Sequence, residues 1–506
     1  MLTLCRFFRL LPGILLYCFA LSAGAQSFRV QCPTATALHP GHSTDEGAIK
    51  CQQISGGDGF ATMGDGTQTY LFAFGPLSGL KDIKAGLPGT QPQAVFNVPN
   101  AFTNNPAADP TADNGAVGLT PDPNLPAGSP LDGHVDPRPI MDVGVMNGNE
   151  PAPMMAIDED DEFFLTLTNV GMIMRPDLFE QHTVHFHGYP NASAFYDGVP
   201  DASVAINIGG SFTYYYLAPD AGTYMWHCHI TPPEHLQMGM VGQVYVRPRQ
   251  NRVMSGTLYA ALAAQELPSA DPRKRCGTDI LCPAPLPPTD NGQTHASNKN
   301  GTPTLYAYND GDASTAYDVE YPIQIHGFDP NFHFIGMTFN PEPFADMKDK
   351  YFLLNGRSYP DTVNPGPMQT QVSDGTLHYS QPQSSLINIP AGGKALLRIS
   401  DLDVSEFMTL ASLGIPMRVV GYNARLLRDM AGNNMAYGTN SITLAGGESV
   451  DVILDASDTT KFPVGATYFL YTPNLDHLSN DAENFGGLMT EVHICGAVDP
   501  TTKACS

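Results

Sequence analysis

Basic residues are scarce in this chain: 25 Lys and Arg stand against 50 Asp and Glu, a formal charge of −25. So acidic a chain argues against nucleic acid and anionic membranes as partners. It is compatible with cationic substrates, metal ions included, although a solvated acidic surface is the simpler reading. Past residue 25 no apolar run is long enough to span a bilayer, so no membrane span is expected. Cysteine is sparse, and Gln26 rather than a Cys stands directly after Ala23-Gly24-Ala25, which argues against a lipoprotein anchor. Tryptophan occurs once, at Trp226. Closely spaced histidines are also missing from most of the chain. His39, His42, His134, His295, His326, His333, His378, His477 and His493 form no His-x-His pair.

What remains is concentrated. The chain opens like a secretory signal over Met1 to Ala25, with Arg6 and Arg9, an apolar run from Leu10 to Leu21 and a small-residue cleavage site. Losing it would take two Arg and no acid, moving the charge from −25 to −27. An exported protein, periplasmic or secreted, is expected. With 506 residues, 42% of them hydrophobic, two or three domains have enough material for cores.

The chemistry lies between residues 182 and 240. One motif reads His182-Thr-Val-His185-Phe-His187, the other His227-Cys228-His229, followed by His235 and Met240. On β-strands side chains alternate faces, so His185 and His187 share one face and His227 and His229 another, with Cys228 turned away. His182, three residues before His185, also faces away. Two groups follow: His182, Cys228, His235 and Met240, and then His185, His187, His227 and His229. The first is the trigonal His₂Cys set with a weak axial Met that suits copper, and the second is all imidazole.

These motifs resemble a copper-binding domain of the multicopper oxidases, in the cupredoxin superfamily. The resemblance implies an all-β fold of two cupredoxin-like Greek-key sandwich or barrel domains. It also implies that His182, Cys228, His235 and Met240 hold type 1 copper. His185 would serve a type 2 copper, and His187, His227 and His229 type 3 coppers. Six residues separate Cys228 from His235, a spacing longer than in laccase-like members and shorter than in copper nitrite reductases. With Cys228 set aside for copper, six cysteines of the mature chain fall into local pairs: 32 with 51, 276 with 282, and 495 with 505. An exported protein would oxidise such pairs, although sequence alone does not fix the pairing.

The chain then divides as follows. Residues 26–250 would be the copper-binding domain, with a Pro/Gly-rich insertion at about 76–137. Residues 251–302 read as a linker, with a helix candidate at 250–265. A copper-free cupredoxin-like domain is expected at 303–498, and 499–506 form a tail. The acidic run Asp158 to Asp161 reads as a solvated strand start. A repeat joins the halves: Gly210-Ser-Phe-Thr-Tyr-Tyr-Tyr answers Gly447-Glu-Ser-Val-Asp-Val-Ile, and Gly222-Thr-Tyr-Met-Trp answers Ala466-Thr-Tyr-Phe-Leu. That alignment sets Tyr471, Thr472 and Pro473 where His227, Cys228 and His229 stand, so the second half keeps the frame without the ligands.

The resemblance also exposes a shortfall. A trinuclear copper centre in that family takes eight imidazoles, and this chain offers four. One reading completes the cluster by homo-oligomerisation or a partner, giving an oxidase that passes electrons from a small-molecule or metal-ion donor to O₂. A second is a nitrite-reductase-like enzyme, with His477 as the donor from a neighbouring second domain. A third is a blue-copper electron carrier without turnover. His185 stands where the reductases place an Asp, and they lack a counterpart of His229, so the first reading is favoured. Phenols, Mn(II), Fe(II) and Cu(I) all remain open as the reducing substrate.

Overall fold

The computed structural model describes residues 28–40, 48–119, 134–188, 193–218, 220–252, 257–258, 260, 304–336, 344–371, 377–429 and 431–506. The expected signal, most of the helix candidate and of the linker, and the Cys276/Cys282 pair lie outside them. The pairs Cys32–Cys51 and Cys495–Cys505 are disulfides, with Cα atoms 6.0 and 5.4 Å apart. Among the described residues no helix is long and apolar enough to cross a membrane.

The chain is mostly β, as alternating apolar and polar segments dictate. In its first half run β1 (Ile49–Thr62), β2 (Gln68–Pro76), β3 (Met155–Asp158), β4 (Glu162–Gly171), β5 (His185–His187), β6 (Ser211–Leu217), β7 (Gly222–His227) and β8 (Val241–Arg247). They form two sheets, in the orders β2-β1-β4-β6 and β3-β8-β7-β5. Between the sheets lies a core of Ile54, Phe72, Leu165, Phe186, Tyr214, Trp226 and Val244, among others.

The second half repeats this plan. Its strands are β9 (Val319–Phe328), β10 (Tyr351–Leu354), β11 (Ile387–Pro390), β12 (Lys394–Asp401), β13 (Met408–Leu413), β14 (Met417–Tyr422), β15 (Ser441–Leu444), β16 (Glu448–Asp455), β17 (Thr467–Tyr471) and β18 (Met489–Cys495). The orders are β10-β9-β12-β16-β14 and β11-β18-β17-β13-β15. Parallel pairs β1–β4 and β3–β8 are answered by parallel pairs β9–β12 and β11–β18. The sequence repeat thus extends to the whole strand order, with β14 and β15 as additions.

The halves pack face to face. Ala61, Met63, Leu71 and Ala73 meet Phe328, Tyr351 and Leu353 in one apolar cluster. Thr223 Oγ1 donates to Asp451 across the interface at 2.6 Å, and Gln243 Nε2 donates to the Arg398 carbonyl at 2.9 Å.

One expectation needs correction. The acidic run is not solvated: Glu159 and Asp161 are buried. The Glu159 carboxylate accepts from Ala221 N, Arg249 N and Asn309, and Asp160 pairs with Arg249 and Arg252. The run closes the domain edge because backbone donors and guanidinium groups converge on it. The 77–119 part of the Pro/Gly-rich segment also contributes buried apolar residues. Leu77, Leu80, Val117 and Val135 pack with Ile140 in a small core of their own.

Candidate metal centre

β5 pairs with β7 so that His185 lies opposite His227 and His187 opposite Met225. This antiparallel register brings His185, His187 and His227 together, apart from a separate group of His182, Cys228 and His235. His182, Cys228 and His235 each present one ligand atom within 4.8 Å of the others, and so do His185, His187 and His227.

The first group is fully buried. Cys228 is a free cysteine, and its sulfur accepts from the Thr183 N–H at 3.4 Å. His235 Nδ1 is 3.2 Å from that sulfur. His182 lies with its ring 5.5 Å from that of His235, and neither of its nitrogens makes a well-formed hydrogen bond. Its ring occupies space left by Gly56, where a Cβ would come within 2.6 Å of the ring carbon Cδ2. Met240 is buried in the same core cluster as Cys228. Its carbonyl accepts from Cys228 N at 3.1 Å and its N–H donates to the His235 carbonyl at 2.8 Å.

His235 sits on the short helix α1 (Pro232–Gln237), whose N-cap Thr231 adopts a left-handed conformation at φ 35°. The Phe72 ring meets His235 edge-on at 5.1 Å, and Glu180 Oε2 is 3.5 Å from its Nε2. Burial alone would raise the Cys228 thiol, but the His235 charge and the nearby His182 bring it well below the usual thiol range. Burial likewise opposes a charge on His235, yet the Cys228 and Glu180 partners raise it to about 10. The site therefore favours a thiolate.

The second group is more open, with His185, His187 and His229 half-buried and His227 buried. His185 Nδ1 donates to the Asp197 carbonyl at 2.7 Å, and His227 Nδ1 donates to the Cys228 carbonyl at 2.8 Å. Each bond fixes the tautomer that leaves Nε2 unprotonated and able to ligate. Burial, then neighbouring imidazoles, hold His187 below its ordinary value. The His229 ring stands 5.1 Å from that of His185 and 5.7 Å from that of His227, at the rim of the group.

The eight expected site residues all lie in this region, but the residues that support them carry no motif. Gly56 sits in a glycine-rich strand, and Thr183, Tyr214 and Glu180 are ordinary strand or loop residues. Only the pattern of small residue opposite ring would have pointed to Gly56. His477, the donor required for the nitrite-reductase-like arrangement, is buried in the second half. It stacks on Phe352 at 4.0 Å and faces Glu406 at 2.9 Å. Packing inside its own barrel removes it from the surface that a neighbouring chain would need.

Its backbone setting explains why it is there. Thr472 N donates to the Leu488 carbonyl and Leu488 N to the His477 carbonyl. These are the two bonds made in the first half by Cys228, Met240 and His235. In the second half, then, Thr472, Leu488 and His477 stand in the places of Cys228, Met240 and His235.

Residues 133–251 match the family model described as multicopper oxidase. Over 109 residues the chain is 35% identical to laccase abr2 of Aspergillus fumigatus, covering 21% of this chain and 17% of that protein. It is 31% identical over 138 residues to multicopper oxidase MCE of Talaromyces pinophilus, covering 26% and 21%. A copper-containing nitrite reductase of Neorhizobium galegae is 34% identical over 106 residues, covering 20% and 25%. Each match thus spans about a quarter or less of the relative's own length. Among solved structures, a blue copper oxidase from Nitrosomonas europaea aligns over 88% of this chain and 85% of that chain, at 15% identity and a TM-score of 0.49.

Proposed function

We propose, from the match of residues 133–251 to the multicopper oxidase model and from the site's donor set, that the chain is an exported copper-dependent oxidase. It would take single electrons from a small-molecule or metal-ion donor and deliver them to O₂. The carrying observation is a buried, free Cys228 set between two imidazoles, with a second imidazole group at its back. The donor set fits copper: one soft thiolate, a thioether nearby and imidazoles, three of whose nitrogens (both of His182 and Nε2 of His235) are buried without a well-formed hydrogen bond. Copper bound there would supply one-electron redox chemistry and a Lewis-acid seat for oxygen.

The residues themselves divide the work. His182, Cys228, His235 and Met240 would hold the type 1 ion, and His185, His187, His227 and His229 the oxygen-side ions. The Thr183 N–H steadies the thiolate, and Glu180 orients His235 from its outer edge, where a donor would approach. The peptide link from Cys228 to His227 and His229 joins the two groups. So does the bond from His227 Nδ1 to the Cys228 carbonyl. His185, His187, His227 and His229 would supply half of an eight-imidazole centre. A second copy or a partner presenting its own four would complete it, so a homo-oligomer is part of this proposal.

The test is copper analysis with visible and EPR spectra on purified oxidised protein. An intense thiolate-to-copper band, together with EPR-silent copper that appears only in an oligomer, is the expected result. Cys228→Ser should abolish the band. If metal-loaded protein is colourless, and Cys228→Ser changes neither copper content nor redox behaviour, the proposal fails.

A further inference from the structure

The loop that carries His235 and Met240 is gripped from the other half of the chain. Its central residue is Gln237, fully buried at the end of α1. The Gln237 Nε2 donates to Asp349 Oδ1 at 3.0 Å, and its Oε1 accepts from Asp329 N at 2.9 Å. The Gln237 carbonyl meets His333 Nε2 at 2.8 Å. Every polar group of Gln237 named here thus contacts the second half, within residues 329–349.

His333 lies on α2 (Pro330–Gly336) and reaches in two directions. Its Nδ1 faces the Tyr70 carbonyl at 2.5 Å, on the strand that also carries Phe72. The His333 ring is buried and stacks on Phe328 at 3.6 Å. One imidazole therefore touches both α1, which bears His235, and β2, which bears the ring packed against His235, and in its neutral form it donates to one of the two carbonyls. Phe332, from the same helix, is buried in the first half's core.

The loop has reason to need such a hold. Six residues separate Cys228 from His235. Its helix has less than two turns, begins at a non-glycine residue in the left-handed region and lacks a side-chain cap. Left-handed backbone at such a residue is strained and persists only where the surroundings enforce it. Short uncapped helices have little stability of their own.

We propose that the second half of the chain is a positioning element for the type 1 site. Through Gln237, gripped by Asp329, His333 and Asp349, it fixes where His235 and Met240 stand relative to Cys228. The copper-free half would then set the coordination geometry, and with it the potential, of an ion bound wholly by the other half. This rests on the copper assignment above. Geometry at such a centre is sensitive to small displacements of its ligands, which is why outer residues matter nearly as much as the ligands.

The experiment compares the full-length copper-loaded protein with Gln237→Ala and His333→Phe. The second variant keeps an aromatic ring on Phe328 and removes both polar contacts. Copper content, EPR hyperfine splitting, the relative strengths of the thiolate-to-copper bands and the reduction potential are measured, with melting as the control for folding. The expected result is copper bound at wild-type stoichiometry, a changed ratio of the charge-transfer bands, an altered hyperfine splitting and a shifted potential in both variants. The inference is overturned if the folded variants keep wild-type spectra and potential. Should Gln237→Ala not fold, His333→Phe decides alone, and melting shows whether it can. A wild-type protein without any thiolate-to-copper band sinks the copper assignment itself, a result distinct from unchanged spectra in the variants.

Discussion

At the scale of single residues, the site depends on side chains that are small as much as on those that ligate. Gly56 lies where β1 shifts its register against β4, between Gly56 and Gly57. A methyl group there would stand 2.6 Å from the His182 ring. Neither the strand backbone nor a ring wedged in a packed core can give that much. Gly56→Ala should therefore destabilise the first half by on the order of 1–3 kcal/mol, the usual range for overpacking. More tellingly, it should displace His182 from Cys228 and weaken the thiolate-to-copper band. His185, His187 and His227 face the other way and should keep their metal affinity. Copper content and visible spectra, read together with melting, distinguish this outcome from general unfolding. An undiminished band in the variant would show that His182 does not need the space.

At the scale of elements, the interface around Asp349 carries a pH dependence. Burial, then the charge of Asp403, pushes the Asp349 carboxyl from 3.8 to about 8. Ser405 and His326 also face it, and Gln237 donates to it. An unfolded chain loses that proton near 3.8, whereas the folded chain keeps it to about 8. Between these values the folded state binds the extra proton, so stability falls as pH rises through the window. Asp349→Asn keeps an acceptor for Gln237 and has no charge to bury. Its melting temperature should exceed that of the parent at pH 8 and converge with it toward pH 4. Parallel melting curves at both values would mean that Asp349 is already ionised in the fold.

The same elements show what the sequence could and could not disclose. Strand alternation sorted eight site residues into two groups, because the side-chain period of two is local information. The acidic run Asp158–Asp161 was misjudged because burial depends on Arg249 and Asn309, about 90 and 150 residues away. Gln237 and His333 were equally silent. Nothing about a glutamine on a short helix announces that another half of the chain will grip it. Contacts of that kind belong to tertiary packing, and only the fold brings them together.

At the scale of the molecule, the two halves are one plan used twice, and the repeat reaches down to the metal-binding place. Ala411 faces Tyr471 on β13 and β17 as His185 faces His227 on β5 and β7. Counting three residues back from Ala411 and from His185 sets Met408 where His182 stands. Even the surroundings correspond: Glu406 and Phe352 contact His477 as Glu180 and Phe72 contact His235. His477 Nδ1 is buried without a hydrogen-bond partner, aimed from the position where His235 Nδ1 meets the Cys228 sulfur. Two substitutions, Met408→His and Thr472→Cys, would then assemble a His₂Cys set with Leu488 in the axial place, a donor set suited to copper or cobalt. The double variant should gain one metal ion per chain over the parent and a second thiolate charge-transfer band. Its melting temperature should rise with added metal, since an ion that binds only the folded state stabilises it. Thr472→Cys alone, with one imidazole and no second, should gain far less. A folded double variant that takes up no additional metal would mean that the halves share a backbone but not the geometry of a site.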